Sequence, residues 1–282
     1  MLAASSSNEF SEREFPMTEN NFSQIKSIAY RLTGISLSDH KKNMVYGRLA
    51  RRLRVLGLTT FNQYCELIDR DHSAEHVEFI NAITTNLTSF FRENHHFEFL
   101  SGQLLPAIMR KNVANKRLRI WSAGCSTGEE PYSIAMVVKS FAALSGWDAK
   151  VLATDLDSNV VAKAKAGIYP AERAENIPEK YRKYLSVDKN TDRVRVKSAV
   201  SELITFKQLN LLHEWPMKGP FDVIFCRNVV IYFDTATQRK LFDRYARILQ
   251  HDGHLFIGHS ENLHNVCNRF RSLGKTIYQR TS

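Results

Sequence analysis

The 282-residue chain has no apolar run that approaches the about 18 residues of a membrane span; even 221–233 is broken by Asp222, Arg227 and Asn228. Cysteine is sparse. The four at 65, 125, 226 and 267 form no C-x-x-C pair, which argues against a zinc ribbon or a disulfide framework. The ten histidines include no H-E-x-x-H, and none has a cysteine or carboxylate at ligand spacing, so no metal is expected. Glycine numbers only 12, with neither the G-x-G-x-x-G of a dinucleotide site nor the Gly-Lys-Ser/Thr of a P-loop. The first 20 residues are rich in Ser, Glu and Asn and lack an apolar core. They are expected to be a flexible leader and no secretion signal, in a cytoplasmic protein. Negative charge is also short, 29 acids against 39 Lys and Arg, a net +10 that suits a polyanionic partner: nucleic acid, an anionic membrane surface or an acidic protein.

What is present is an ordinary globular composition, 43% hydrophobic and 24% charged, at a length that accommodates two domains. Its centre is Arg119-Ile-Trp-Ser-Ala-Gly124-Cys-Ser-Thr-Gly128-Glu129-Glu130-Pro131-Tyr132, followed by the apolar run 133–138. A short strand, a loop with two glycines and a helix opened by acids and Pro131 form a strand–loop–helix unit of the kind that holds nucleotide-like cofactors. Ser126 or Thr127 is a candidate cap, which starts the helix near 128. Glu129 and Glu130 stand where a pyrophosphate would need bare N–H groups, so they suit a cationic ligand. The next strand, 150–154, ends in Asp155, placed to accept hydrogen bonds from ribose hydroxyls. A phosphate-free, positively charged nucleoside is implied, and S-adenosylmethionine fits. The plainer alternative is a generic βαβ unit with solvent-facing acids.

From about 20 to 94 the periodicity is helical only. Over 41–56, Val45, Leu49, Leu53 and Leu56 fall on one side of a helix, with Lys41, Arg48, Arg51 and Arg52 on the adjoining side. No acid lies between His40 and Cys65, so this basic face is a candidate docking surface as much as a solvated one. At the handover to the next region, 81–92 crowds small polar residues around Phe90, Phe91 and Arg92; such junctions favour ligand pockets. Arg92 is suited to a two-pronged grip on a carboxylate or to a structural salt bridge.

After 94, strands at 118–123, 150–154, 203–208, 221–226 and 254–258 alternate with helices at 94–111, 129–145, 157–166 and 235–250. This is the pattern of a doubly wound α/β fold. The run 276–279 is expected to pair antiparallel at an edge. Between 168 and 202, short strand candidates at 181–187 and 194–197 flank a turn at Asp188-Lys189-Asn190 and suggest a small antiparallel insert. By the switch-point rule, Arg227, Asn228 and Tyr232 after the fourth strand and Asn210-Leu211 after the third face the same crevice as Gly124 and Asp155. His259-Ser260 within Gly258-His-Ser-Glu-Asn262 invites a nucleophile, but no G-x-S-x-G elbow exists.

The segments Thr84-Thr-Asn-Leu-Thr-Ser-Phe-Phe-Arg92, Ser126-Thr-Gly-Glu-Glu-Pro-Tyr-Ser133, Phe225-Cys-Arg-Asn-Val-Val-Ile-Tyr-Phe233 and Gly258-His-Ser-Glu-Asn262 resemble, in order, the CheR family of chemotaxis methyltransferases. The resemblance runs from about 22 to the C-terminus. It implies a class I, Rossmann-like S-adenosylmethionine-dependent methyltransferase domain (95–282) with a small antiparallel β-insert, preceded by an all-α N-terminal domain (21–94). It implies methyl transfer to glutamate carboxylates of chemoreceptors, with Asn86, Thr88, Arg92, Glu129, Asp155, Asn210, Leu211, Arg227 and Asn228 on the cofactor. Arg92 is expected to orient the carboxylate or the cofactor, and Tyr232 to wall the reacting carbon. Receptor methylation segments are acidic helices, so Lys41, Arg48, Arg51 and Arg52 gain a partner. Family members that hold a receptor C-terminal peptide share a longer, Gly-containing insert loop; here no glycine lies between Gly167 and Gly219, so a tether-independent monomer is expected. The rivals are a nucleic-acid methyltransferase, disfavoured because Cys226-Arg-Asn-Val229 replaces an Asn/Asp-Pro-Pro-aromatic motif, and an inactive cofactor- or receptor-binding module.

Overall fold

The computed structural model describes residues 13–188 and 190–281. Its contacts divide the chain into two units: one runs to Thr85 and includes Tyr232–Asp234, the other comprises Asn86–Ile231 and the chain from Thr235.

The first unit is helical. Thr18 and Asn21 form a capping box at the start of α1 (Glu19–Thr33), and Gly34, at φ 72°, ends it in the left-handed conformation that glycine adopts without a Cβ clash. α2 (Lys42–Leu56) buries Val45, Tyr46, Leu49, Ala50 and Leu53 and stops at Gly57. α3 (Phe61–Asp69), opened by a Thr60–Gln63 capping box, and α4 (Glu75–Ile83) complete the unit, with Phe61, Tyr64, Ile68 and Phe79 fully buried. The expected leader needs correction. Residues 1–12 lie outside the described residues, but Phe15 and Met17 are buried, and Arg13 lies 4.7 Å over the Tyr46 ring. Two isolated apolar anchors in a polar stretch give no periodicity, so the sequence pattern conceals them.

The second unit is built on a seven-stranded sheet. In chain order the strands of this unit are β1 (Arg117–Ala123), β2 (Asp148–Asp155), β3 (Ile168–Pro170), β4 (Leu185–Asp188), β5 (Arg193–Val196), β6 (Ile204–Gln208), β7 (Phe221–Cys226), β8 (Leu249–Ile257), β9 (Phe270–Gly274) and β10 (Ile277–Arg280). The main sheet runs β6-β2-β1-β7-β8-β10-β9, parallel from β6 to β8 and antiparallel beyond. The order reverses between β1 and β7, which opens the crevice at their carboxyl ends. Register fixes its floor: Ala123 lies beside Thr154, and Ser122 beside Phe225, so Gly124, Asp155 and Arg227 follow the ends of three neighbouring strands.

The longer helices of this unit are α5, a continuous run of His95–Phe99, the π-form Leu100–Leu104 and Leu105–Lys111, then α6 (Glu129–Ser140), α7 (Ser158–Ala166) and α8 (Thr235–Ile248). All six β7 residues are buried, and Phe225 stacks on Phe256 at 4.4 Å. Each such ring contributes about 1.5–3 kcal/mol by leaving water. Asp222 interrupts that run because its carboxylate accepts from Asn112 Nδ2 (2.9 Å) and the Arg119 amide (2.8 Å). β3, β5 and β4 form the expected insert, in that order and antiparallel. Tyr181 sits in a helical turn and stacks on Phe91 at 4.8 Å, where a strand was expected. Of the turn expected at 188–190, Lys189 lies outside the described residues. β10 is not the edge: β9, with only Phe270 buried, is too polar to read as a strand and pairs outside it.

Candidate cofactor site

The loop after β1 turns on two left-handed glycines. Gly124 (φ 113°) cannot carry a Cβ, which would come within 2.3 Å of Val229 Cγ2; at Gly128 (φ 100°) a Cβ would meet the Tyr169 hydroxyl at 2.8 Å. The loop's amides are spent internally. Gly124 and Cys125 donate to the Thr154 carbonyl (2.8 and 2.9 Å), Ser126 to Asp155 Oδ2 (2.8 Å) and Gly128 to the Cys125 carbonyl (3.0 Å). A phosphate would find these donors occupied. Asp155, half-buried, also accepts from the Asp157 amide at 3.0 Å. Burial pushes its carboxyl up to about 6 against the pull of these N–H bonds. It is an acceptor with capacity to spare, as ribose hydroxyls require.

The two glutamates correct the charge argument. Glu129 is buried and receives Thr127 Oγ1 (2.6 Å) and Arg173 Nη1 (3.1 Å); Glu130 receives Ser122 Oγ (2.8 Å) and Arg227 Nη1 (3.0 Å). Buried carboxylates require such partners, so neither side chain presents an uncompensated negative charge to a ligand. Helix α6 starts at Gly128 without a side-chain cap, because Thr127 is turned to Glu129 and Ser126 Oγ donates to the Asn86 carbonyl (2.9 Å). Arg173 also donates to the Thr88 carbonyl (3.1 Å), tying segment 86–92 to α6; nothing in its local sequence marked it.

The expected cofactor residues fall into two groups. Asp155 ends β2 and Asn228 follows β7, at the carboxyl ends of the strands; the half-buried Arg92 donates Nη1 to the Leu87 carbonyl at 2.8 Å. Asn86 Nδ2 donates to Asp157 Oδ2 (2.8 Å), and Asp157 in turn caps α7. Asn210 Oδ1 accepts from the Leu212 amide (2.9 Å), and the Leu211 carbonyl accepts from Arg244 Nη1 (2.6 Å) and Trp215 Nε1 (3.1 Å). The Arg227 side chain, 2% exposed, is committed inward to Glu130, the Arg92 carbonyl and Glu93 (3.4 Å), so it reaches a ligand only through its backbone. Tyr232 belongs to the helical unit, where its carbonyl accepts from the Ser36 amide (2.8 Å) and Lys41 Nζ lies 4.4 Å over its ring.

The expectation that no histidine has a carboxylate at ligand spacing needs correction: Glu93, His95 and His96, close in the sequence, bring ligand-type atoms within 4.8 Å of one another. Both imidazoles donate Nε2–H to the Lys275 carbonyl (3.2 and 3.0 Å), and Glu93 Oε1 receives His259 Nδ1 (3.1 Å). The Arg227 guanidinium already supplies the counter-charge, and a second cation beside it would be repelled.

The basic face of α2 is compensated from other segments. Arg52 grips Glu75 with two bonds (2.8 and 2.7 Å) and approaches Glu78 (3.4 Å); Arg48 holds the carbonyls of Ala82 and Thr84. Lys42 pairs with Glu19, and Arg54 with Glu14. Arg51 is exposed and makes no ion pair among the described residues.

A mostly parallel sheet with its crevice at the switch point, a glycine turn whose amides are already spent and an acceptor carboxylate at the end of β2 are the frame of a class I S-adenosylmethionine-dependent methyltransferase, the class to which the chain belongs. Residues 86–279 match the family model described as CheR methyltransferase, SAM binding domain, and residues 20–84 that of the CheR methyltransferase all-alpha domain. The chain belongs to the CheR methyltransferase family. It is 44% identical over 276 residues to chemotaxis protein methyltransferase 2 of Pseudomonas aeruginosa, covering 95% of this chain and 96% of that protein. It is 43% identical over 267 residues to the chemotaxis protein methyltransferase of Escherichia coli, covering 93% and 91%.

Proposed function

We propose that this protein methylates glutamate side chains on the cytoplasmic helices of chemoreceptors, forming glutamyl methyl esters in chemotactic adaptation. Near full-length likeness to chemotaxis protein methyltransferases carries this reading. S-adenosylmethionine supplies a methyl group on an electrophilic sulfonium. The accepting glutamate is already ionised at neutral pH, so no general base is needed. The task left to the chain is in-line positioning and exclusion of water. Asp155 takes the ribose, Asn228 and the backbone at Arg227 line the cleft, and Arg92 orients the carboxylate. The test offers methyl-labelled S-adenosylmethionine to receptor cytoplasmic fragments with and without their C-terminal peptides, with structured RNA as control. Base-labile label on both fragments is the expected result, from a tether-independent cytoplasmic monomer. Label on RNA, or cofactor binding without transfer, would overturn the reading.

Docking of an acidic receptor helix falls to Arg51 on the exposed face of α2 and to Lys41 in the turn before it, whose ammonium lies over the Tyr232 ring. Lys41→Glu with Arg51→Glu should weaken receptor binding at least about tenfold at low salt, with the gap closing as salt screens the charges. Fluorescence anisotropy of a labelled receptor fragment measures this, and an unchanged affinity would remove the idea. Arg52→Glu should instead destabilise the helical unit, since it sets a second carboxylate against Glu75.

A further inference from the structure

The strand-end motif Gly258-His259-Ser260-Glu261 has no part in the chemistry above, yet its carboxylate gathers five backbone amides. Glu261 is 5% exposed. Its Oε2 accepts the amides of Asn228 (2.9 Å) and Gly258 (2.6 Å), and its Oε1 those of Val229 (2.9 Å), Val230 (2.8 Å) and Ile231 (3.3 Å). Four consecutive amides of the segment after β7 thus converge on one side chain. That segment leads into a 3-10 turn at Val230–Tyr232 and is in part buried, so without the carboxylate its buried donors, the Val230 amide among them, would be orphaned at about 1–3 kcal/mol each.

The consequence lies at the cleft. Asn228 is held at φ 58°, a left-handed conformation that asparagine tolerates but does not prefer. Gly258 faces it so closely that a Cβ there would lie 2.4 Å from Asn228 Nδ2. The next residue, Val229, lies against Gly124, the first glycine of the cofactor loop, again with no room for a Cβ.

We infer that Glu261 is a positioning residue for the cofactor site: by gathering the amides of 228–231 it sets Asn228 in the crevice and presses Val229 against the Gly124 turn. Glu261 itself touches no reacting atom. The inference rests on reading this crevice as the S-adenosylmethionine site.

Glu261→Gln is the test, because the amide keeps the shape and replaces one acceptor oxygen with a donor facing N–H groups. The affinity for S-adenosylhomocysteine, measured by calorimetry, should fall about tenfold or more, and KM for S-adenosylmethionine should rise in parallel while KM for the receptor fragment stays within about twofold. A merely structural role would lower the active fraction, reducing apparent kcat with both KM values unchanged. Should Glu261→Gln not fold, Gly258→Ala is read the same way, since it keeps the carboxylate and displaces Asn228 with its Cβ. Wild-type affinity for S-adenosylhomocysteine in the folded variant would overturn the role of Glu261 alone. Failure of the wild-type protein to bind S-adenosylhomocysteine would overturn the site reading beneath it, and binding without receptor methylation would overturn only the proposed substrate.

Discussion

Arg227→Met should lower the unfolding free energy by about 3–5 kcal/mol near neutral pH, the cost of stranding a buried charge. Its guanidinium is the cationic partner of Glu130, whose side chain is 10% exposed and, among the described residues, otherwise receives only Ser122 Oγ. Burial already pushes the Glu130 carboxyl above the ordinary range, and Arg227 is the main opposing influence. Removing Arg227 pushes it further. A carboxyl whose folded value exceeds its unfolded value binds more protons when folded, so folding gains stability as pH falls through the raised value. The deficit should therefore be smaller at about pH 5.5 than at about pH 8. Adding Glu130→Gln to Arg227→Met should restore part of the loss, because the Glu130 charge is then gone and only Glu93, 3.4 Å from the guanidinium in the wild type, still lacks it. Denaturant unfolding of the three proteins at both pH values is the measurement. A loss under about 1 kcal/mol, or no recovery in the double variant, would show that Glu130 is solvated or protonated without its partner.

The Arg227–Glu130 pair also marks where sequence reasoning ended. The strand–loop–helix at 117–140, the acceptor at Asp155 and the sheet's alternating rhythm were legible because each is written in one window of contiguous residues. Ion-pair partners are chosen by topology. Arg227 meets Glu130 because β7 lies beside β1, and Arg173 reaches Glu129 from the turn after β3. The acids that balance α2 come from Glu14, Glu19, Glu75 and Glu78, none of them within the basic stretch itself. A local window sees such a helix as uncompensated. Glu261 stood in a motif that was noticed, but its hydroxyl and imidazole neighbours drew the functional question, while its own work is done on amides some 30 residues away.

Asp155→Asn should weaken binding of S-adenosylhomocysteine about tenfold or more, since it turns one acceptor oxygen into a donor, a hydrogen bond from a ribose to a carboxylate is worth about 1.5 kcal/mol or more, and about 1.4 kcal/mol is a factor of ten. The wild-type protein carries a sharper signature. Its carboxyl is pushed up to about 6 by burial, which the amides of Ser126 and Asp157 only partly offset and the neighbouring Asp157 charge reinforces. In the proposed ribose site the ionised form would accept both hydroxyls, whereas the protonated form would lose one acceptor. Affinity should accordingly be flat above about pH 7, fall as pH drops through about 6, and level off about tenfold weaker once the group is protonated. The asparagine variant has no proton to take up and should show no such fall. Calorimetric titrations of both proteins across this range decide the matter. A wild-type affinity unchanged at about pH 5, or a variant within about threefold of wild type at neutral pH, would mean that the ribose is held elsewhere. In that case the amides of Ser126 and Asp157 would be all that this carboxylate serves, and its role would be to shape the glycine turn and not to hold the ligand.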